Sequence, residues 1–172
     1  IVKLLIKKVN VDSTDYFGRT PLYLACSNGY FDIIKVLIEH NADFEKKCCE
    51  ETLLHMACRK GYFNIFKLLI EKNAHINVKN IHEQTPLHLA CINNHFNIVK
   101  ILIEKNAYLN LRGDGQTPLN IAIKNNNIDI VKLLIENNAN LNLRGDGETP
   151  LHLACKKKYI DIVKLLIENN AN

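Results

Sequence analysis

The chain has 172 residues, of which 47% are hydrophobic and 23% charged, and its net charge at pH 7 is +4. With 7 Gly and 4 Pro, this composition excludes a disordered or fibrous protein. The positive charge is mild and lacks the clustering of a nucleic-acid-binding domain. No apolar run approaches the ~20 residues that cross a membrane.

The first eight residues, IVKLLIKK, match the segment IVKLLIEN at residues 130–137. That later segment is the second half of a repeated unit, and the chain does not begin with Met. We therefore expect a fragment that opens with half a repeat. Val9 takes the place that Asn holds in later units, and a β-branched residue fits a left-handed turn poorly. We expect a locally different turn there.

Five units follow, each anchored by a threonine, at spacings of 32, 33, 32 and 32 residues: Thr20, Thr52, Thr85, Thr117 and Thr149. Self-similarity at this period predicts stacked repeats. Each unit contains a polar turn, a short helix opened by Thr-Pro and a longer helix. Thr is a preferred N-cap, and Pro suits the first helical turn because no intrahelical bond needs its missing N–H.

The longer helix of each unit has apolar residues at helical spacing. It is followed by an Asn that substitutes for Gly in the left-handed cap conformation. These residues are Asn41, Asn73, Asn106, Asn138 and Asn170. One such unit buries too little apolar surface to offset its ordering entropy. Neighbouring units must therefore cover each other's apolar faces.

The segments TPLHLA at 85–90 and 149–154, with IVKLLI at 130–135 and 162–167, resemble the ankyrin repeat. The resemblance covers the whole chain and implies an all-α solenoid of helix-turn-helix pairs with short β-hairpin loops. It divides the chain into one array, with the end of a truncated repeat at 1–13 and repeats at 14–45, 46–78, 79–110, 111–142 and 143–172. Departures are Leu53 in place of Pro, and Tyr23 and Asn120 in place of His.

The six cysteines raise the question of a metal or disulfide site. Four follow the motif Ala, where a small side chain packed between helices explains them: Cys26, Cys58, Cys91 and Cys155. Cys48 and Cys49 fall in a hairpin, so we expect both to be exposed and to react quickly, whereas the other four should react only on unfolding. The sequence lacks a zinc-type Cys-x-x-Cys and His framework. Free thiols indicate a reducing compartment.

The resemblance implies that the motif histidines His55, His88 and His152 hydrogen-bond within and between repeats. No Cys or Ser is aligned with a His and a third orienting group, and no Gly-rich phosphate loop precedes a helix. We predict no catalytic residue, no metal, no cofactor and no enzyme activity. The family can be hydroxylated at the Asn that starts each hairpin, which corresponds here to Asn77, Asn110 and Asn142. Most such residues simply bond the turn backbone.

In the resembling family, hairpin tips and the ends of the first helices line a concave, partner-binding face. The resemblance places these residues there, taken by repeat: Tyr16, Phe17, Arg19, Ser27 and Asn28; Cys48, Cys49, Glu51, Arg59 and Lys60; Ile81, His82, Gln84, Ile92 and Asn93; Arg112, Asp114, Gln116, Lys124 and Asn125; Arg144, Asp146, Glu148, Lys156 and Lys157. Aromatic and Arg side chains usually carry interface energy.

The function that follows is a non-enzymatic protein-protein interaction scaffold that binds its partner through hairpin tips and the concave helix face. One alternative is the targeting or regulatory ankyrin arm of a larger enzyme or channel. Another is a polyanion or nucleic-acid-binding module that uses basic helix ends: Arg59, Lys60, Lys124, Lys156, Lys157 and Lys158. The 18 acidic residues and the lack of an aromatic stacking series argue against nucleic acid.

These hypotheses carry expectations about partner and place. We expect the partner to be another protein, with no membrane insertion, and self-association through the truncated ends of the array. The expected location is intracellular, in the reducing cytoplasm, with delivery into a host cell as the alternative.

Overall fold

The computed structural model describes residues 10–171, in which ten α-helices follow one another in five pairs. The first helices of the pairs are α1 (Pro21–Ser27), α3 (Leu53–Lys60), α5 (Pro86–Ile92), α7 (Pro118–Lys124) and α9 (Pro150–Lys156). The second helices are α2 (Phe31–Glu39), α4 (Phe63–Glu71), α6 (Phe96–Glu104), α8 (Ile128–Glu136) and α10 (Ile160–Glu168). The half-repeat at residues 1–8 and the turn at Val9 lie outside the described residues.

Each first helix begins directly after its threonine, as the sequence predicts. Thr20 shows the usual cap, because its hydroxyl accepts a hydrogen bond from the Tyr23 N–H at 3.1 Å. In α3 a leucine replaces the proline, yet the helix begins at the same place. There the Thr52 N–H donates to His55 Nδ1 at 3.3 Å, while the His55 N–H donates to the Thr52 hydroxyl at 3.4 Å. This reciprocal cap fixes the start without proline.

Each second helix is closed by an asparagine in the left-handed conformation, as predicted. The five residues have φ between 60° and 64°: Asn41, Asn73, Asn106, Asn138 and Asn170. The Ala42 N–H then donates to the Leu37 carbonyl at 3.0 Å, and the equivalent bond recurs after the other four. This is the hydrogen bond of a Schellman cap, and it turns the chain toward the next hairpin.

The described part of the chain divides into two compact units, with the boundary between His75 and Ile76. In the first unit α1 packs against α3 and α2 against α4. In the second unit α5, α7 and α9 pack in succession, as do α6, α8 and α10. Each unit is therefore two layers of helices with the core between them, including Leu22 and Phe66 in the first unit. The repeat boundaries given above remain predictions.

The loops between repeats are short hairpins, three of them closed by a single antiparallel bridge: Cys48–Glu51, Gly113–Gln116 and Gly145–Glu148. A side chain at the start of each hairpin accepts a backbone N–H from the following repeat. The pairs are Asp12 with Asp43 at 3.0 Å, Glu45 with His75 at 2.8 Å, Asn77 with Tyr108 at 2.9 Å and Asn110 with Asn140 at 2.8 Å. The side chains of Asn77 and Asn110 therefore bond the backbone of the next repeat.

The motif histidine position differs between two repeats of the second unit. The Nδ1 of His88 accepts from the Thr85 N–H at 3.1 Å, so its Nε2 carries the proton and donates to the Leu111 carbonyl at 3.0 Å. The Oδ1 of Asn120 accepts a hydrogen bond from the Thr117 hydroxyl, but the asparagine side chain is shorter than that of histidine. Its buried Nδ2 has no hydrogen-bond partner. The fourth repeat therefore lacks the bridge that the third repeat makes.

We expect Asn120→His to stabilise the second unit by about 1 kcal/mol, because the longer ring reaches the next hairpin and removes an unsatisfied donor. The matched change His88→Asn should destabilise it by about 1–3 kcal/mol, since the bridge to Leu111 is lost. Urea denaturation followed by far-UV circular dichroism measures both changes. A less stable Asn120→His protein would contradict this account of the fourth repeat.

Candidate functional site

The residues predicted to bind a partner are described separately for the two units. We call the hairpin tips and the C-terminal ends of the first helices in a unit its hairpin face. The first unit carries the predicted residues from Tyr16 to Lys60, and the second carries those from Ile81 to Lys157. The partner-binding role of these residues remains a prediction.

The first hairpin tip presents two aromatic rings to solvent. Tyr16 is 97% exposed and Phe17 is 71% exposed. The rings meet edge to face, with centroids 5.6 Å apart and planes at 88°. The Arg19 guanidinium carbon lies 4.8 Å from the Phe17 centroid, in the range of a cation–π contact. Exposed aromatic surface of this kind is typical of interaction sites.

Asp15 holds this tip in one conformation. Its Oδ1 accepts the N–H groups of Phe17 and Arg19, both at 2.9 Å, and its Oδ2 lies 2.7 Å from the Arg19 guanidinium. The hydrogen bond from the Arg19 side chain holds the pKa of Asp15 below its ordinary value. Gly18, with φ of +74°, supplies the left-handed turn. The backbone that carries the aromatic pair is therefore ordered in the free chain.

The other predicted residues of the first unit are partly committed to the fold. Arg59 pairs with Glu51 at 2.8 Å, which ties the end of α3 to its hairpin. The Asn28 amide donates to the Leu24 carbonyl at 2.8 Å and caps α1. Lys60 is exposed. Tyr16 and Phe17 are thus the large side chains that this face offers.

The hairpin tips of the second unit are joined by backbone hydrogen bonds. The Asp114 N–H donates to the His82 carbonyl at 2.8 Å, and the Asp146 N–H donates to the Gly115 carbonyl at 3.3 Å. Ile81 stands exposed beside this series, with 62% of its surface accessible. The predicted residues of the face thus lie on a connected series of hairpins.

Two glycines allow the hairpins of the second unit to approach each other. A Cβ at Gly113 would lie 2.7 Å from the Gln84 Cα, and one at Gly145 would lie 2.8 Å from the Gln116 Oε1. Both glycines are buried. Glycine is required at these positions by space rather than by its backbone angles. The predicted residue Gln84 is accordingly half-buried against the next hairpin.

The ends of the first helices in the second unit form hydrogen bonds that stabilise the fold, and they also present side chains to solvent. The Asn93 amide donates to the Leu89 carbonyl at 2.9 Å, and the Asn125 amide donates to the Ile92 carbonyl at 3.0 Å, so both asparagines hold helix ends in place. Ile92 is 38% exposed, while Arg112 and Arg144 are exposed on the hairpins. Isoleucine and arginine are therefore among the side chains that this part of the face presents, together with lysines at the ends of α7 and α9.

A cavity of about 280 Å³ opens between the last two repeats on this face. Its charged lining consists of Lys124, Lys156, Lys157, Asp146 and Glu148. Gln116 also lines it, and its amide donates to the Asp146 carboxylate. The cavity thus brings together six of the residues that the resemblance had placed on the face. Leu153 and Gly145 line it too, but their sequence positions mark them as core and turn residues.

Two predictions about cysteine exposure are wrong. Cys48 is only 2% exposed, because its side chain turns inward and its Sγ lies 3.8 Å from the hydroxyl of Thr20 in the preceding repeat. Cys155 is exposed, because no described helix pair covers its side of α9. At the equivalent position of the repeat before, Ile123 is fully buried.

The exposure of the other four cysteines agrees with the prediction. Cys26, Cys58 and Cys91 are buried, and Cys49 is exposed. Burial raises the pKa of the Cys26 thiol to about 12 and also raises that of Cys91. Burial, followed by a hydrogen bond with the Cys49 thiol, raises the pKa of Tyr23. Among residues 10–171, no three potential metal ligands come together, and no helix is long and apolar enough to cross a membrane.

We expect Cys49 and Cys155 to alkylate rapidly in the native protein, because a thiol reacts only where the reagent reaches its thiolate. Four thiols should react slowly until urea unfolds the chain: Cys26, Cys48, Cys58 and Cys91. The measurement is a timed reaction with iodoacetamide, read residue by residue by mass spectrometry, with the urea-unfolded protein as control. Rapid native labelling of Cys48 would show that its hairpin does not pack on Thr20.

Comparison with known protein families identifies the repeats. A family model described as ankyrin repeats (3 copies) matches residues 1–80, 45–113, 76–145 and 109–172. These overlapping matches take in the whole chain. They confirm the predicted resemblance and the predicted class of fold, an all-α repeat solenoid.

Proposed function

The chain belongs to the ankyrin-repeat family, and on this premise we propose that it is a non-enzymatic scaffold that binds a partner protein through its hairpin faces. Ankyrin repeats generally mediate protein-protein interaction. The observation that carries the proposal for this chain is the exposed pair of Tyr16 and Phe17 on a fixed hairpin tip.

The tip has the properties of an interface anchor. Tyr16 and Phe17 leave most of their apolar surface in water, although burial of aromatic surface is strongly favourable. The hydrogen bonds to Asp15 already order the backbone on which both rings stand. Binding therefore loses less conformational entropy than it would on a mobile loop. An ordered and exposed aromatic pair suits recognition of another protein.

The distribution of charge favours a protein partner over nucleic acid. Three basic residues on the hairpin faces are paired with carboxylates on the same face: Arg19 with Asp15, Arg59 with Glu51 and Lys156 with Glu148. Lys158 lies in the turn before α10 and lines a different cavity with Tyr159 and Ile160. Pairing with carboxylates thus takes three of the basic residues out of the extended phosphate-binding track that nucleic acid requires, and Lys158 lies apart from the cavity of Lys124, Lys156 and Lys157.

The test begins with peptides selected from a random dodecapeptide phage library on the full chain. The selected peptides are then synthesised with a fluorescein label. For peptides that bind the first unit, we expect Tyr16→Ala and Phe17→Ala each to weaken binding by about 1–3 kcal/mol, as truncation of an anchor does. Ile81→Ala should have the same effect on peptides that bind the second unit. Tyr30→Ala is the matched control, because this exposed tyrosine lies in the turn between α1 and α2.

Fluorescence anisotropy gives the dissociation constants, and circular dichroism verifies that each variant is folded. The same titration with single-stranded RNA and duplex DNA at two salt concentrations tests the rival function. We expect weak binding that disappears as salt rises. Tight nucleic-acid binding at physiological salt, or peptides indifferent to all three anchor substitutions, would overturn the proposal.

A further inference from the structure

The cavity between the last two repeats has an uncompensated positive charge. Lys156 pairs with Glu148 at 2.7 Å, and the Gln116 amide donates to Asp146. Lys124 and Lys157 form no ion pair with any residue between 10 and 171. Three ammonium groups against two carboxylates leave one positive charge in excess.

The fold does not require lysines at these places. Lys124 is the last residue of α7, and Lys156 and Lys157 stand at the end of α9, where a cation interacts favourably with the helix dipole. Of the equivalent helices, α3 also ends with basic residues, Arg59 and Lys60, whereas α1 and α5 have none in the last turn. A basic end is therefore compatible with these helices but is not needed to form one.

The polar lining of the cavity is also incomplete. Gln116 is 9% exposed, and its Oε1 accepts no hydrogen bond. The bond from its Nε2 to Asp146 fixes which way the amide points. A buried acceptor without a partner is unfavourable, so the lining of this cavity is not at its most stable in the free chain. Leu153 supplies an apolar wall on which methylene groups pack.

The excess positive charge and the apolar wall together indicate which kind of side chain the cavity receives. We infer that the cavity receives an Asp or Glu side chain from an extended segment of the partner protein, with its carboxylate between Lys124 and Lys157. This inference rests on the proposed function and specifies the partner as an acidic segment.

The peptides selected on the full chain test this inference. We expect those that bind the second unit to be enriched in Asp and Glu. Lys124→Gln and Lys157→Gln should each weaken their binding about three- to tenfold, since each removes a charge partner of the peptide carboxylate. Lys132→Gln removes the same charge from the exposed surface of α8 and should change the dissociation constant less than about twofold.

A double-mutant cycle shows whether the lysines contact the acid directly. The Glu or Asp of the peptide is changed to Gln or Asn, and the variant peptide is titrated against wild type and Lys157→Gln. Direct contact makes the two substitutions non-additive, whereas general attraction by net charge leaves them additive. Circular dichroism again verifies that each variant is folded.

The outcomes separate this inference from the function on which it rests. Peptides that depend on Ile81, but show no acidic preference and ignore both lysine substitutions, would overturn the acidic segment and leave the scaffold standing. Failure of every peptide to bind, with RNA held tightly through the same lysines at physiological salt, would overturn both. Acidic enrichment with coupling to Lys124 or Lys157 supports both.

Discussion

The packing of each helix pair against the next is the interaction on which the structure depends. The fourth and fifth repeats are nearly identical in sequence, yet Asn120 and Ile123 are fully buried while the equivalent His152 and Cys155 are exposed. The difference lies in the neighbour and not in the residue. Burial in this chain is therefore a property of the stack, and one repeat's contribution to stability cannot be assigned apart from its neighbours.

The hairpins give this packing a fixed register. Backbone bonds between successive tips, such as Asp114 to His82, join the loops of the second unit, and side chains such as Asn110 bond the backbone of the next repeat. Gly113 and Gly145 let those loops come close enough to bond. As a result, the residues that the fold leaves free to vary stand on a rigid support, which is the arrangement that recognition favours.

Local chemistry made much of the fold predictable. The start of each first helix follows from a threonine cap, and the end of each second helix follows from an asparagine that tolerates positive φ; both depend on residues close in sequence. Exposure was less predictable. Cys48 is hidden by Thr20, which lies 28 residues earlier, and Cys155 is exposed because no described helix pair covers it. The contact between Cys48 and Thr20 is not visible in the repeat pattern.

The candidate site was likewise predictable only in part. The resemblance identified the positions, but the pairing of Lys156 with Glu148 and the turning of Asn125 toward Ile92 depend on how two repeats meet. Those contacts decide which side chains remain available. A residue list taken from the family therefore includes side chains that the fold already uses, while the absence of ion pairs at Lys124 and Lys157 among residues 10–171 emerges only from the structure.

The missing histidine of the fourth repeat has a mechanical consequence. In the second unit, the seam between α5 and α7 is crossed by the bond from His88 to Leu111, whereas the seam between α7 and α9 has Asn120 and no such bond. If this unit is stretched along its stack, every seam bears the same force. The seam between α7 and α9, which lacks the histidine bond, is then the first to separate, and it joins the fifth repeat to the rest. That repeat carries two of the three lysines of the cavity, so tension would open the cavity before the rest of the unit yields.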